Sequence, residues 1–151
     1  AVSPTRTMNP LPARRDELLA DLRLVPEAHA RLEYLIERAQ EEPPLDPALR
    51  TDDRLVRGCL SNLWVTREYR DGRCWFRCDA DSLVVKSIAH LLCSFYSDAA
   101  PADILALDPS FLREAGITEH LSSNRRNALT RVWGLIRSFA EEMQRTGVPG
   151  G

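Results

Sequence analysis

Lysine is almost missing from this 151-residue chain: Lys86 stands alone, and arginine carries the rest of the positive charge. No lysine therefore has a context that suggests a Schiff base to a carbonyl cofactor. A basic excess is missing too. The formal net charge is -2, whereas nucleic-acid binders usually carry a strong positive surplus. No apolar run approaches the roughly 20 residues that span a bilayer. The sequence holds neither G-x-x-x-x-G-K-[ST] nor G-x-G-x-x-G, so no phosphate-cradling loop is signalled. The stretch from Ala1 to Pro12 lacks the apolar segment of a secretory signal. These absences predict a cytoplasmic protein with reduced thiols, and neither nucleic acid nor membrane among its partners.

What is present suits one globular domain. The chain is 44% hydrophobic and 28% charged, in the range of ordinary folded proteins, and its length fits a single core. Flexible ends are expected over residues 1–12 and 147–151, with one domain over 13–146 between them. A short helix is expected over Arg15 to Leu22. A second follows Pro26, with Ala28, Leu32, Leu35, Ile36 and Ala39 at helical spacing, and it stops at Glu41-Glu42-Pro43-Pro44 because proline cannot extend the ladder. Strands are predicted over Arg54–Arg57, over about Asn62 to Tyr69, and over Arg73 to Asp79, with Asp71-Gly72 as a hairpin turn. In the third strand Cys74, Phe76 and Cys78 share one face; Arg73, Trp75, Arg77 and Asp79 share the other. The second half reads as helices: one capped by Asp81 or Ser82, a short one from Pro101, one with Asp108 as cap, Pro109 at its first position and a stop at Gly116, and a long one from Ser122 or Ser123. The order implies an α+β fold, a small antiparallel meander of about three strands with helices on one side.

Four cysteines raise the question of which thiol has a task. The gaps between them are 14, 3 and 14 residues. On a straight strand Cys74 and Cys78 lie ~13 Å apart, too far to share one zinc ion at thiolate distance. Cys74, Cys78 and Cys93 sit in apolar patterns and read as small buried hydrophobes. Cys59 differs, because it follows Gly58 in a predicted loop where a side chain can be presented to a partner. A sulfur relay needs such a reachable thiolate. Arg54 and Arg57 would favour the thiolate and Asp52 and Asp53 oppose it, so the sign of the pKa shift stays open. Among the histidines, His29 is placed on the apolar side of its helix, His90 on a solvated face with Lys86, and His120 ahead of the last helix. None has metal-ligand spacing.

The residues around Cys59 resemble a known family. Val56-Arg57-Gly58-Cys59-Leu60-Ser61-Asn62-Leu63-Trp64 is similar to the V-x-G-C-x-S-x-V-W segment of the SufE family, accessory sulfur acceptors of cysteine desulfurases. The likeness continues in order through Tyr34-Leu35-Ile36, Pro43-Pro44-Leu45, Asp79-Ala80-Asp81, Val85-Lys86, Pro101, Asp103-Ile104-Leu105, Leu107-Asp108-Pro109, and His120-Leu121-Ser122 with Arg125 and Asn127. It covers roughly Arg14 to Phe139. Leu60, Asn62, Leu63 and Ala128 depart from the family's usual residues, while the cysteine and its glycine are kept.

The resemblance implies an α+β fold like that of IscU-type scaffolds. It also implies a function: Cys59 accepts persulfide sulfur from a SufS-like, pyridoxal-phosphate-containing desulfurase, stimulates that enzyme, and passes the sulfur to an iron–sulfur scaffold. Gly58, Ser61, Arg57, Trp64, Arg125 and Asn127 are implied as loop and partner-contact positions. The chain itself would need no metal and no cofactor, and would act as a monomer or weak homodimer rather than as a stand-alone enzyme. Two rival readings are an iron–sulfur or zinc scaffold of the IscU type and a docking adapter that transfers nothing.

Overall fold

The computed structural model describes residues 9–59 and 61–147; Leu60 and most of the two expected flexible ends, residues 1–8 and 148–151, lie outside them. Among the described residues six helices and one two-stranded antiparallel sheet build the fold. Helix α1 spans Leu11–Arg23, starting four positions before the expected Arg15. Pro12 sits in the first turn, where its missing N–H costs nothing. Leu11 is buried, and the Arg14 guanidinium donates to the carbonyls of Phe95, Ser97 and Asp98 at 2.6–2.8 Å. Those contacts satisfy the Phe95 carbonyl, which the end of a helix leaves unpaired, and two carbonyls of the chain that follows it. Helix α2, Ala28–Glu41, ends where the proline pair dictates.

Strands β1, Leu63–Arg70, and β2, Arg73–Ala80, pair from Leu63↔Ala80 to Arg70↔Arg73. The turn between them has Asp71 at φ 53° and Gly72 at φ 77°. Positive φ at both central residues matches the right-handed twist of the flanking strands. Cys74, Phe76 and Cys78 are buried with Leu63 and Val65 in the main apolar cluster.

The strand expected over Arg54–Arg57 does not form. Asp52–Arg54 is a 3-10 turn, and the segment touches β1 through one bridge, Leu55↔Trp64, with the Val56 N–H donating to the Leu63 carbonyl at 2.7 Å. A turn before it and the positive φ of Gly58 (87°) after it leave too few residues to run along β1. The fold is α+β, with two strands rather than three.

Helix α3, Leu83–Tyr96, begins at Ser82, whose Oγ accepts from the Val85 N–H. It packs against β2, α2 and α6, and most of its residues are buried. Helix α4, Pro101–Ala106, is followed by α5, Phe111–Glu114. Pro109 is not the first helical residue as expected. The Asp108 carboxylate accepts the Ser110 N–H at 3.0 Å, and this side-chain turn displaces the helix start to Phe111. Helix α6, Ser123–Thr146, is capped by Ser122 and ends at Gly147 in the left-handed region, as glycine allows.

Four polar placements differ from expectation. Asp79 is buried although it lies on the outer sheet face, because the chain after α2 folds back over it. Its carboxylate accepts the Leu45 N–H at 2.9 Å and pairs with Arg50 at 2.6 Å and Lys86 at 3.6 Å. Lys86 is therefore buried rather than solvated, and His90 is half-buried beside Glu42 at 3.8 Å. His29 faces solvent instead of the core and pairs with Glu33 at 3.0 Å.

Candidate functional site

Cys59 lies in the short connection between the 3-10 turn and β1. It is half-buried, whereas Cys74, Cys78 and Cys93 are buried. Its side chain packs on the edge of the apolar cluster, so the sulfur sits at the boundary between core and solvent. Burial pushes the Cys59 thiol above its ordinary value, and the Arg131 guanidinium partly offsets this. Two of the interior thiols are worse nucleophiles. Burial takes Cys74 up to about 11, and a hydrogen bond with Cys78 together with burial raises Cys93. Since the thiolate is the reactive form, accessibility and charge both single out Cys59.

The loop is held from two sides. On one, the Ser61 hydroxyl accepts the Ser82 N–H at 3.2 Å, and Asn62 Nδ2 donates to Asp81 at 2.9 Å, tying the loop to the foot of α3. On the other, Asn127 Nδ2 donates to the Gly58 carbonyl at 2.7 Å. The backbone at Gly58 favours glycine, and Arg131 lies close by. The Gly58 φ of 87° is one that side chains rarely adopt, and a Cβ there would stand 2.9 Å from Arg131 Nε.

A family comparison decides what this loop belongs to. The profile of the SufE family, described as an Fe-S metabolism associated domain, matches residues 16–140. The chain belongs to the SufE family. SufE-like protein 1, chloroplastic/mitochondrial, of Arabidopsis thaliana is 29% identical to this SufE chain over 138 residues, covering 91% of the chain and 37% of the relative. The chain thus spans little over a third of that relative's length. An uncharacterized SufE-like protein of Rhizobium meliloti (strain 1021) is 28% identical over 131 residues, 83% of this chain and 94% of the relative. The solution structure of a hypothetical protein from Thermus thermophilus superimposes with a TM-score of 0.73 at 20% identity, covering 92% of this chain and 100% of that one; that likeness bears on the fold. Family membership supports a sulfur-transfer role in iron–sulfur metabolism.

Within this SufE domain the anticipated positions separate. Gly58, Cys59, Ser61 and Asn127 come together at the loop. Arg57 is exposed beside them. Trp64 belongs to the outer sheet face, where the Arg50 guanidinium lies 5.1 Å from its ring centre. Arg125 is half-buried in the first turn of α6, and its N–H donates to the Ser122 cap. Neither Arg54 nor Arg57 supplies the charge felt by Cys59. Arg54 donates to the Thr51 hydroxyl at 2.8 Å, and the cation that bears on the thiol is Arg131. Sequence reasoning missed Arg131. Its position four residues after Asn127, on the same helix face, was the available signal. Among the described residues no three histidine, cysteine or carboxylate side chains converge as a metal-holding group, and no helix is long and apolar enough to cross a membrane.

Proposed function

We propose that this SufE chain accepts sulfane sulfur on Cys59 from the persulfide of a pyridoxal-phosphate-dependent cysteine desulfurase, stimulates that enzyme, and hands the sulfur to an iron–sulfur scaffold. The observation that carries the reading is the contrast among the thiols. Three are buried in the core, while the fourth is half-buried on a glycine-bent loop braced by side-chain bonds. The exchange balances without another reagent. The Cys59 thiolate attacks the outer sulfur of the partner's R–S–SH, the partner's S–S bond breaks, and its cysteine leaves as thiolate, giving Cys59–S–SH. A second thiolate exchange on the acceptor regenerates Cys59. The chemistry suits a reducing compartment such as the cytoplasm, with the chain acting as a monomer or weak homodimer.

The test is desulfurase turnover with wild-type protein, Cys59→Ser and Cys74→Ser. Activation should vanish with Cys59→Ser and persist with Cys74→Ser; equal activation by wild type and Cys59→Ser rejects the relay. Mass spectrometry after incubation with desulfurase and cysteine should find a gain of ~32 Da on the Cys59 peptide, the outer sulfur of the exchange. Activation without that gain identifies a docking adapter instead.

A further inference from the structure

We propose that Arg131 is a positioning residue for the sulfur exchange: its guanidinium braces the Gly58 turn and sets an uncompensated positive charge beside the sulfur of Cys59. The proposal rests on the sulfur-relay reading of the loop and adds the group that steadies the anion there. The geometry begins with helix spacing. Asn127 and Arg131 are one turn apart on α6 and face the same way, so the helix offers two contacts to one loop residue. Asn127 takes the Gly58 carbonyl at 2.7 Å. Arg131 takes the other side of the same residue. A Cβ built on Gly58 stands 2.9 Å from Nε, 3.0 Å from Cζ and 3.0 Å from Nη2. A point nearly equidistant from three atoms of a planar group lies over its face, so the guanidinium lies across the space into which a Gly58 side chain would point.

The charge is available for that neighbour. The ion pairs of the described residues do not involve Arg131, and the side chain is on the exposed face of α6. The other charged groups around the loop include Arg57 within it, Asp52, Asp53 and Arg54 in the 3-10 turn before it, Asp81 at the foot of α3, which is engaged by Asn62 Nδ2, and Arg125 at the start of α6. Of these surroundings, Arg131 is the one whose charge bears on the Cys59 thiol, against the burial that disfavours the anion. Both the attacking thiolate and the persulfide anion formed later carry negative charge at this place, so one guanidinium serves both halves of the relay.

The experiment separates charge from shape and needs no desulfurase. Second-order alkylation of Cys59 by iodoacetamide is measured against pH in the full chain, with the adduct located by peptide mass spectrometry, for wild type, Arg131→Gln and Arg131→Lys. Arg131→Gln keeps a flat amide without charge; it should move the midpoint to higher pH and slow alkylation near neutral pH by about threefold, the size expected for one charge at a half-exposed site. Arg131→Lys keeps the charge and should stay near wild type, and thermal unfolding should be little changed in both. An unmoved midpoint in Arg131→Gln overturns the proposal, as does an equal shift in both variants, which would assign the effect to the planar contact. Failure here leaves the relay standing, because that is judged by Cys59→Ser in the turnover assay; failure of the turnover assay leaves the pH profile readable.

Discussion

The side-chain amide of Asn127, on the last helix, donates to the main-chain carbonyl of Gly58, 69 positions earlier, at 2.7 Å. One hydrogen bond thus fixes the residue before the candidate sulfur acceptor to the most extended element of the fold. A neutral bond of this kind is worth about 1 kcal/mol, or roughly a fivefold change in an opening equilibrium.

Asn127→Ala should therefore loosen the loop more than the fold. Cys59 alkylation at fixed pH is expected to rise about fivefold, while the urea midpoint falls by no more than about 1 kcal/mol equivalent. A large stability loss with unchanged alkylation would mean that the contact supports α6 and not the loop.

Gly58→Ala should cost about 1–2 kcal/mol from its left-handed backbone. The collision with Arg131 adds little, since a long side chain swings aside. The same loss is expected in an Arg131→Ala background, measured by denaturant titration. A loss that disappears in the double variant would transfer the penalty from backbone to contact.

Native alkylation should label one cysteine and denatured alkylation four. Cys74, Cys78 and Cys93 are all buried, and the thiols of Cys74, at about 11, and of Cys93 are raised as well. Cys59 is half-exposed, although its own thiol is raised by burial, so its labelling should speed up steadily through the alkaline range. Intact-mass counting of adducts in buffer and in guanidinium checks both points.

Acid should act through Asp79. Burial alone pushes its carboxyl up, but the Leu45 N–H, Arg50, the Ala80 N–H and Lys86 together outweigh that and hold it below the usual range. A carboxyl depressed in the folded state contributes stability that is complete above its unfolded value, about 3.9, and is lost as pH falls through the lower folded value. Asp79→Asn should flatten this acid limb of the urea midpoint. At about pH 7, Asp79→Ala should cost about 3 kcal/mol, because Lys86 is left buried without its carboxylate. An acid limb identical to wild type would place the titration elsewhere.

Much of the fold was legible because local chemistry agreed with it. Pro43-Pro44 stops α2, Asp71-Gly72 turns the hairpin, Ser82 and Ser122 cap helices, and the alternation of Cys74, Phe76 and Cys78 points inward as read. The misreadings came where long-range contacts overrule local pattern. Arg54–Arg57 reads as a short strand yet is bounded by two turns. Lys86 and His90 look solvated on a helical wheel until Asp79 and Glu42 arrive beside them.

Sequence by itself determined which thiol to watch: glycine before Cys59 marks a bend, and the ordered residues around it mark the family. Only the tertiary structure decided what surrounds that thiol. A side chain's neighbours in sequence lie along one covalent path, whereas electrostatics and packing act through space. Arg54 and Arg57 are close in the chain, but the cation that Cys59 feels is Arg131, brought to it by the course of α6.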